Sequence, residues 1–529
     1  MRTILNFVAG IALLFAAAVI ADAQETPEPS PDAQQSLADY ARTLKAKKKP
    51  DIMVNEEDAK VLFQEIENIL KFASEDSELP RREPVKYKLI GKAEAEKFFA
   101  DGLRNSDHAR KVQHAEMVLK KFGMLPADFR MSKFLAEDIM SDLAGFYDPR
   151  EKVMYLLNWV DYRKQRPVMA HELTHALQDQ NYNLLKWKDP GRTENLEFNT
   201  APENIAIEPE ARTAAVEGQA MIVYYDYLVR GTGRRLGTSS DRIDAIRAEL
   251  TSELESPLKF QNAPQILKDL AMFPYYDGFA FELEVLKKEG TAAAFAGVFD
   301  RPPRDTHEIL QPEAYLARTR TEPYRLPNIT DVLEPAYKVY DSGSIGELDV
   351  RLMSTEYGRE NDGFAISPQW DGGTYVAVKK PSAANKADAD VVPSDLAVLY
   401  VSRWKTYSAA KRFAELYKAA LLKRTKLLDS AIPQGSECET DSNCRVRYAM
   451  RFNTSDGLVV IEIGANDVLM ISQGIDNATV ADVKHALGRT PQEDTSAHQG
   501  ELSLRLAITP AVRAMRMSVH ERMLQIVGE

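Results

Sequence analysis

The segment from Arg166 to Tyr182, RPVMAHELTHALQDQNY, constrains the fold of this chain more than any other. His171 and His175 are four residues apart, and Glu172 follows the first of them. On an α-helix, residues i and i+4 lie one turn apart on the same face, so both imidazoles can reach one metal ion. Glu172 lies about 100° further round the helix. The segment therefore predicts a helix that supplies two metal ligands and a general base.

Pro167 suits the first turn of this helix, where its missing N–H costs no hydrogen bond. The next proline is Pro190 and the next glycine is Gly191. Two stripes occur at helical spacing, an apolar one of Met169, Leu173 and Leu177 and a polar one of His171, His175 and Asp179. We expect a helix that buries the apolar stripe and presents the ligands to a cleft.

A catalytic zinc ion takes three protein ligands and leaves one position for water. A third histidine six residues after His175 is absent, because Asn181 stands there. The best downstream carboxylate is Glu217, in a second predicted helix that Pro209 opens. With only eight histidines in 529 residues, a chance pair at this spacing is improbable. The sequence therefore predicts a Zn²⁺ site of His171, His175 and Glu217.

Glu217 has alanine, valine, methionine and isoleucine as its neighbours. A carboxylate in such surroundings is rarely buried unless it is paired or binds a metal. The small residues Ala214 and Gly218 predict that this helix packs closely on the histidine helix. Glu210 and Asp179 are the residues that we expect to orient the histidines.

The motifs HELTHALQDQ and, some 40 residues later, VEGQA resemble those of the gluzincin zinc peptidases, the thermolysin-like class. They are more similar still to a group of secreted bacterial proteins that carry HELTHALQDQ and an EG-acidic-A motif, although Gln219 stands here in place of the acidic residue. The resemblance implies a mainly helical, zincin-like fold with the three ligands given above.

The resemblance extends from about Ala144 to Leu316. Gly145 to Leu156 predicts two short strands joined by an Asp148–Pro149 turn. By analogy with gluzincins, the strand Val153–Leu157 would bind extended peptide as a neighbouring strand. In the later part of this region, Gln311 occupies a position where the bacterial group has a histidine.

His307 and Tyr147 are the candidates for stabilising the tetrahedral oxyanion, because a hydrogen-bond donor must complement the metal. The alternative for each is a purely structural role. The implied reaction is hydrolysis of a peptide bond, in which Glu172 takes a proton from zinc-bound water. The alternative function is a non-catalytic zinc-containing binding or scaffold protein of the cell envelope.

The first residues predict export. A short basic start, an apolar run from Ile4 to Ile20 and the small residues Ala21 and Ala23 are typical of a secretory signal peptide, residues 1–23. The alternative is an uncleaved membrane anchor. We expect the protein to be periplasmic or secreted, with no stable membrane span after cleavage, and Cys438 and Cys444 to form a local disulfide.

The composition, and the change along the chain from helical to alternating patterns, predict an α+β protein with several segments. A linker, residues 24–50, precedes a mainly helical zinc domain, 51–335, and a smaller α+β domain, 336–529. The latter contains a helix from Ser408 to Leu428 and five predicted strands: Thr374–Lys379, Leu396–Val401, Arg445–Phe452, Leu458–Ile463 and Val468–Ser472. The net charge of −12 argues against nucleic-acid binding, so the expected partner is a peptide or protein substrate.

Overall fold

The structure is a computed structural model that describes residues 56–103, 106–131, 134, 145–160, 162–188, 209–232, 235–236, 263–319, 329–334, 336–429, 435–437 and 446–487. The predicted signal peptide, the predicted linker and the Cys438–Cys444 pair lie outside these residues. In the part of the chain that is described, no helix combines the length and apolar character needed to cross a membrane.

The first half of the chain is mainly helical. Its elements are α1 Glu56–Ser77, β1 Lys86–Ile90, α2 Lys92–Leu103, α3 Ser106–Phe122, β2 Gly145–Asp148, β3 Val153–Leu157, α4 Tyr162–Tyr182, α5 Leu184–Lys188, α6 Pro209–Val229, α7 Gln265–Glu289, a π-helix Ala293–Gly297, α8 Val298–Asp300, α9 Thr306–Leu310, α10 Pro312–Leu316 and α11 Thr330–Leu333. The histidine motif lies on α4 and Glu217 lies on α6.

The second half combines strands with three longer helices. Its elements are β4 Lys338–Ser344, α12 Glu347–Tyr357, α13 Glu360–Ile366, β5 Trp370–Lys379, β6 Leu396–Trp404, α14 Tyr407–Arg424, β7 Ser436–Glu437, β8 Val446–Thr454, β9 Gly457–Gly464, β10 Val468–Gln473 and α15 Asn477–Leu487. All five predicted strands are confirmed within the described residues. The predicted helix extends too far, because Leu427 forms a β-bridge with Thr454 after α14 has ended at Arg424.

The strands form two sheets. The smaller has the order β1-β3-β2, in which β1 is parallel and β2 antiparallel to β3. The larger has the order β4-β5-β6-β10-β9-β8-β7, with every neighbouring pair antiparallel. Helices and two separate sheets make the fold α+β, as predicted.

One hydrophobic core includes side chains from both halves of the chain, among them Leu173 on α4, Phe279 on α7 and Tyr400 on β6. The described residues, all from Glu56 onward, belong to a single compact unit. The division into domains at residue 335 stays a prediction.

Helix α4 begins earlier than predicted. It starts at Tyr162, so Pro167 lies inside the helix instead of in its first turn. The side-chain amide of Gln165 donates to the carbonyls of Leu157 and Val160 at 2.9 and 2.8 Å, which ties the start of α4 to the end of β3. Proline removes one helical hydrogen bond, and this anchoring holds the residues before it in the helix.

The polar stripe of α4 is buried like its apolar stripe. Met169, Leu173 and Leu177 have no exposed surface, and His171, His175 and Asp179 are only 1, 8 and 6% exposed. Low exposure does not decide whether these side chains line a cleft, so the expectation that they do stays a prediction. Helices α1, α6 and α7 pack around α4 and its neighbours, so the site lies among helices.

Strand β3 is not the strand that can accept a peptide neighbour. Its residues Val153–Leu157 pair with β1 on one side, and β2 pairs with β3 on the other. The prediction that Val153–Leu157 binds substrate is wrong, because a central strand has no unpaired edge. Strand β2, Gly145–Asp148, is the edge strand of this sheet nearest the histidine motif.

Candidate metal centre

Three side-chain atoms from α4 and α6 meet at one point. The Nε2 atoms of His171 and His175 are 3.0 Å apart, and each lies 3.2 Å from Oε2 of Glu217. Among the described residues, these three form the cluster of histidine and carboxylate groups that could hold a metal ion. The structure thus brings together the two histidines and the glutamate that the sequence predicts as ligands.

The size of this triangle fits zinc. With bonds of about 2.0–2.1 Å, two ligand atoms of a tetrahedral zinc site lie about 3.3 Å apart. The observed separations of 3.0–3.2 Å are slightly smaller. Two imidazoles and one carboxylate are also the donor set of a common class of catalytic zinc sites. A metal ion at the centre would need only a small expansion of the triangle.

The charges of the ligands are strongly coupled. Burial lowers the pKa of His175, but the charge and hydrogen bond of Glu217, together with the charge of Glu172, outweigh burial, so the pKa is raised. Burial opposes ionisation of Glu217, whereas the charge of His175 and hydrogen bonds from both histidines hold its pKa well below the usual range. Lys188 adds a further positive charge, with Nζ 4.0 Å from Oε1 of Glu217. Glu217 is therefore an anion in a buried site, which favours a bound cation.

Glu172 is held by the backbone of β2. One of its carboxylate oxygens, Oε2, accepts a hydrogen bond of 2.8 Å from the N–H of Tyr147. The carboxylate of Glu172 therefore lies beside β2. Glu172 follows His171 on α4 but contributes no atom to the ligand triangle. The carboxylate is thus positioned beside the ligands without being one of them.

The hydroxyl of Tyr147 is directed elsewhere. It donates to Oδ2 of Asp179 at 3.0 Å, and Oδ1 of Asp179 accepts from the N–H of Leu184 at 2.9 Å. Burial, together with the neighbouring Asp179, raises the pKa of Tyr147 far above its ordinary value, so the hydroxyl keeps its proton. Asp179, which we expected to orient a histidine, instead joins β2 to the start of α5.

His307 belongs to a separate buried group. Its Nδ1 hydrogen-bonds with Oε2 of Glu347 on α12, and Gln311 donates to Oε1 of the same carboxylate at 2.9 Å. The carboxylate fixes the ring of His307, and Gln311 contributes an amide donor to the same group. His307 is not a member of the ligand triangle. Its role as an oxyanion donor stays a prediction.

Helix α6 packs closely, but against α7. A Cβ atom added to Gly218 would lie 2.2 Å from the carbonyl oxygen of Gly278, and one added to Gly278 would lie 2.2 Å from that of Ala214. The small residues predicted to face the histidine helix therefore face another helix. This backbone contact fixes the position of α6 along α7, and with it the position of Glu217.

Sequence reasoning missed Gln178. Its Oε1 is 2.8 Å from Nδ1 of His175, three residues earlier on α4, so this amide and not Asp179 contacts the histidine. The i, i+3 spacing was a usable signal, because such residues are neighbours on a helix surface. The sequence gives no means of choosing between positions 178 and 179.

No family model, curated protein or solved structure matches this chain. The assignment of a function therefore rests on the geometry of the site and on the motifs themselves.

Proposed function

We propose that this protein is an exported zinc-dependent peptidase with a zincin-like catalytic region. The observation that carries the proposal is the triangle of His171, His175 and Glu217, with Glu172 beside it on the same helix. A purely structural zinc site usually closes its fourth position with a protein ligand and has no use for a base. The described cluster has three ligands, and Glu172 is the adjacent carboxylate.

Zinc, when bound, supplies Lewis acidity, which makes water a better nucleophile and polarises a carbonyl. Glu172 takes the proton of the attacking water and passes it to the leaving amine. The Tyr147 N–H holds the carboxylate in place through Oε2. His307 is the proposed oxyanion donor.

The burial of the site favours a second candidate, a non-catalytic zinc protein that binds partners in the cell envelope. Glu172 and Glu217 are only 6 and 7% exposed in the described structure. A substrate must reach Glu172, whereas a structural metal needs no access. The two candidates differ in one observable, which is turnover.

The first experiment measures zinc in purified residues 24–529 and in two variants. We expect about one zinc per chain in the wild type and its loss in Glu217→Ala. Glu313→Ala is the control, because Glu313 is an exposed glutamate on α10 and lies outside the triangle. Zinc retained in Glu217→Ala would show that the ligand set is wrong, and no zinc in reconstituted wild type would remove the basis of the proposal.

The second experiment digests a peptide library. Cleavage should disappear with a chelator, return with added zinc and be absent in Glu172→Gln, which keeps its zinc because Glu172 is not a ligand. Zinc binding without any cleavage by the wild type would support the non-catalytic candidate. Full activity of zinc-loaded Glu172→Gln would show that another group is the base.

A further inference from the structure

Two buried glutamine amides connect His175 to the far side of helix α6. Gln178 on α4 and Gln219 on α6 have no exposed surface. The Nε2 of Gln178 lies 2.9 Å from Oε1 of Gln219 and 3.1 Å from the carbonyl oxygen of Val216. A buried amide must find partners for both its donor and its acceptor atoms. The orientation of each amide can therefore be worked out from its neighbours.

Gln219 is oriented by the π-helix Ala293–Gly297. Its Nε2 donates to the carbonyl oxygens of Ala294 and Phe295 at 2.9 and 3.2 Å. Two carbonyls accept only, so the NH₂ group must face them and Oε1 must face Gln178. The same reasoning applies to Gln178, whose NH₂ group faces two acceptors. Its Oε1 is then directed to His175.

This order of donors determines the tautomer of His175. Oε1 of Gln178 is an acceptor 2.8 Å from Nδ1, so the neutral ring must carry its proton on Nδ1. In this neutral tautomer the lone pair is on Nε2, the atom that lies in the ligand triangle, and a bound metal ion would take the place of the hydrogen bond between Nε2 and Glu217. A metal-binding histidine commonly has its other ring nitrogen fixed by such a hydrogen bond.

We propose that Gln178 and Gln219 form an amide relay that fixes the tautomer and ring orientation of His175 for metal binding. Both are positioning residues, since neither reaches the ligand triangle. The relay rests on the proposed metal site and adds to it residues on α6 and the π-helix. Because the relay runs from the Ala294 and Phe295 carbonyls to the ring, a shift of the π-helix changes the site.

The relay also gives a physical reason for glutamine, and not glutamate, at position 219. This side chain accepts from Gln178 and donates to two carbonyls. A carboxylate can only accept when ionised, so it would leave the carbonyls of Ala294 and Phe295 without a donor. It would also place a second carboxyl group near the fully buried Glu282.

The test compares zinc affinity, by competition with a chromophoric chelator, in wild type, Gln178→Leu and Gln178→Glu. Leucine removes the acceptor for Nδ1–H, and loss of such an outer partner typically weakens metal binding about 10–100-fold. Glutamate keeps the acceptor, so we expect an affinity within about threefold of wild type or tighter, with a lower melting temperature because Val216 and Gln219 lose their donor. Asp179→Asn is the control next along the helix, and its zinc affinity should not change.

A second readout reports the ring directly. In zinc-loaded wild type, the ¹⁵N shifts of His175 should show a protonated Nδ1 and a metal-bound Nε2. Gln219→Met keeps Gln178 but removes the acceptor that orients the Gln178 amide. We therefore expect it to lower the zinc affinity about threefold or more. It carries the test if Gln178→Leu does not fold.

The outcomes separate the relay from the site. If the wild type binds no zinc, the proposed metal site itself is wrong. Zinc-binding wild type with equal affinity in Gln178→Leu, or in Gln219→Met where leucine prevents folding, would overturn the relay alone. Equal losses in Gln178→Leu and Gln178→Glu would also overturn it, because the acceptor would not be the cause.

Discussion

Substitution of Gly218 by alanine tests the contact that positions Glu217. The Cβ atom of alanine would lie 2.2 Å from the carbonyl oxygen and 2.5 Å from the carbonyl carbon of Gly278. Carbon and oxygen atoms in close contact are normally about 3.3 Å apart or more. The backbones of α6 and α7 must therefore separate by about 1 Å at this point. The obstacle is backbone on the far side, so no side chain can rotate away.

Two effects of opposite sign decide the stability. Alanine favours a helix over glycine by about 1 kcal/mol. Overpacking of a well-packed interior costs about 1–3 kcal/mol and occasionally more. The contact is severe and lies against backbone, so we expect the upper part of that range and a net loss of about 1–2 kcal/mol. Because Glu217 precedes Gly218, the same shift exceeds the tolerance of about 0.2 Å in metal–ligand distance.

The assay is the urea midpoint of metal-free protein together with zinc affinity, for Gly218→Ala and a control. Gly231→Ala suits this purpose, because a Cβ atom at Gly231, just after the end of α6, would meet nothing within 4 Å. We expect a lower midpoint and weaker zinc binding only in Gly218→Ala. A midpoint that rises in Gly218→Ala, as helix propensity alone predicts, would show that the two helices do not meet at this glycine.

Three further predictions concern buried polar groups. Burial raises the pKa of Glu282 well above its usual value, so the folded state keeps a proton that the unfolded chain loses near pH 4.3. Stability should therefore fall as pH rises above that value, and Glu282→Gln should remove this dependence. Urea midpoints that change with pH between about 4 and 8 in the same way in wild type and variant would contradict the prediction. Burial likewise raises the pKa of Asp341, which accepts a 2.8 Å hydrogen bond from Tyr375, to about 7; the wild type should lose stability between about pH 4 and 7, and Asp341→Asn, followed by thermal unfolding, should be flatter there. Tyr147→Phe should lower stability by about 1.5–3 kcal/mol in chemical denaturation, because it removes a hydrogen bond to Asp179, and should leave zinc content unchanged; loss of zinc would place the hydroxyl in the metal centre.

Much of the local structure could be predicted because its signal is local. The spacing of His171 and His175 requires a helix if both are to bind one metal, and α4 has that form. Pro209 opens α6 as expected, and the alternating strands of the second half appear in the large antiparallel sheet. Each of these depends on residues within one turn or one strand, so periodicity and turn residues were sufficient.

The choice among partners could not be predicted in the same way. The sequence of β3 predicts a strand but does not show whether that strand is central or at an edge. Its pairing with β1 makes it central, and the paired residues Lys86 and Val153 are 67 positions apart in the chain. Asp179 and Gln178 are equally plausible neighbours of a histidine on one helix. The way α4 packs against β2 makes Asp179 the hydrogen-bond partner of Tyr147. The way α4 packs against α6 makes Gln178 the hydrogen-bond partner of Gln219.

The sequence by itself determined which residues could bind a metal: two histidines one helical turn apart, an adjacent glutamate and a downstream carboxylate in apolar surroundings. The tertiary structure decided that the carboxylate of Glu217 reaches both histidines, that Gly218 meets α7 instead of α4, and that two amides fix the ring of His175. The physical reason is that helix formation depends on near neighbours, whereas ligand geometry depends on how helices far apart in the chain pack against one another.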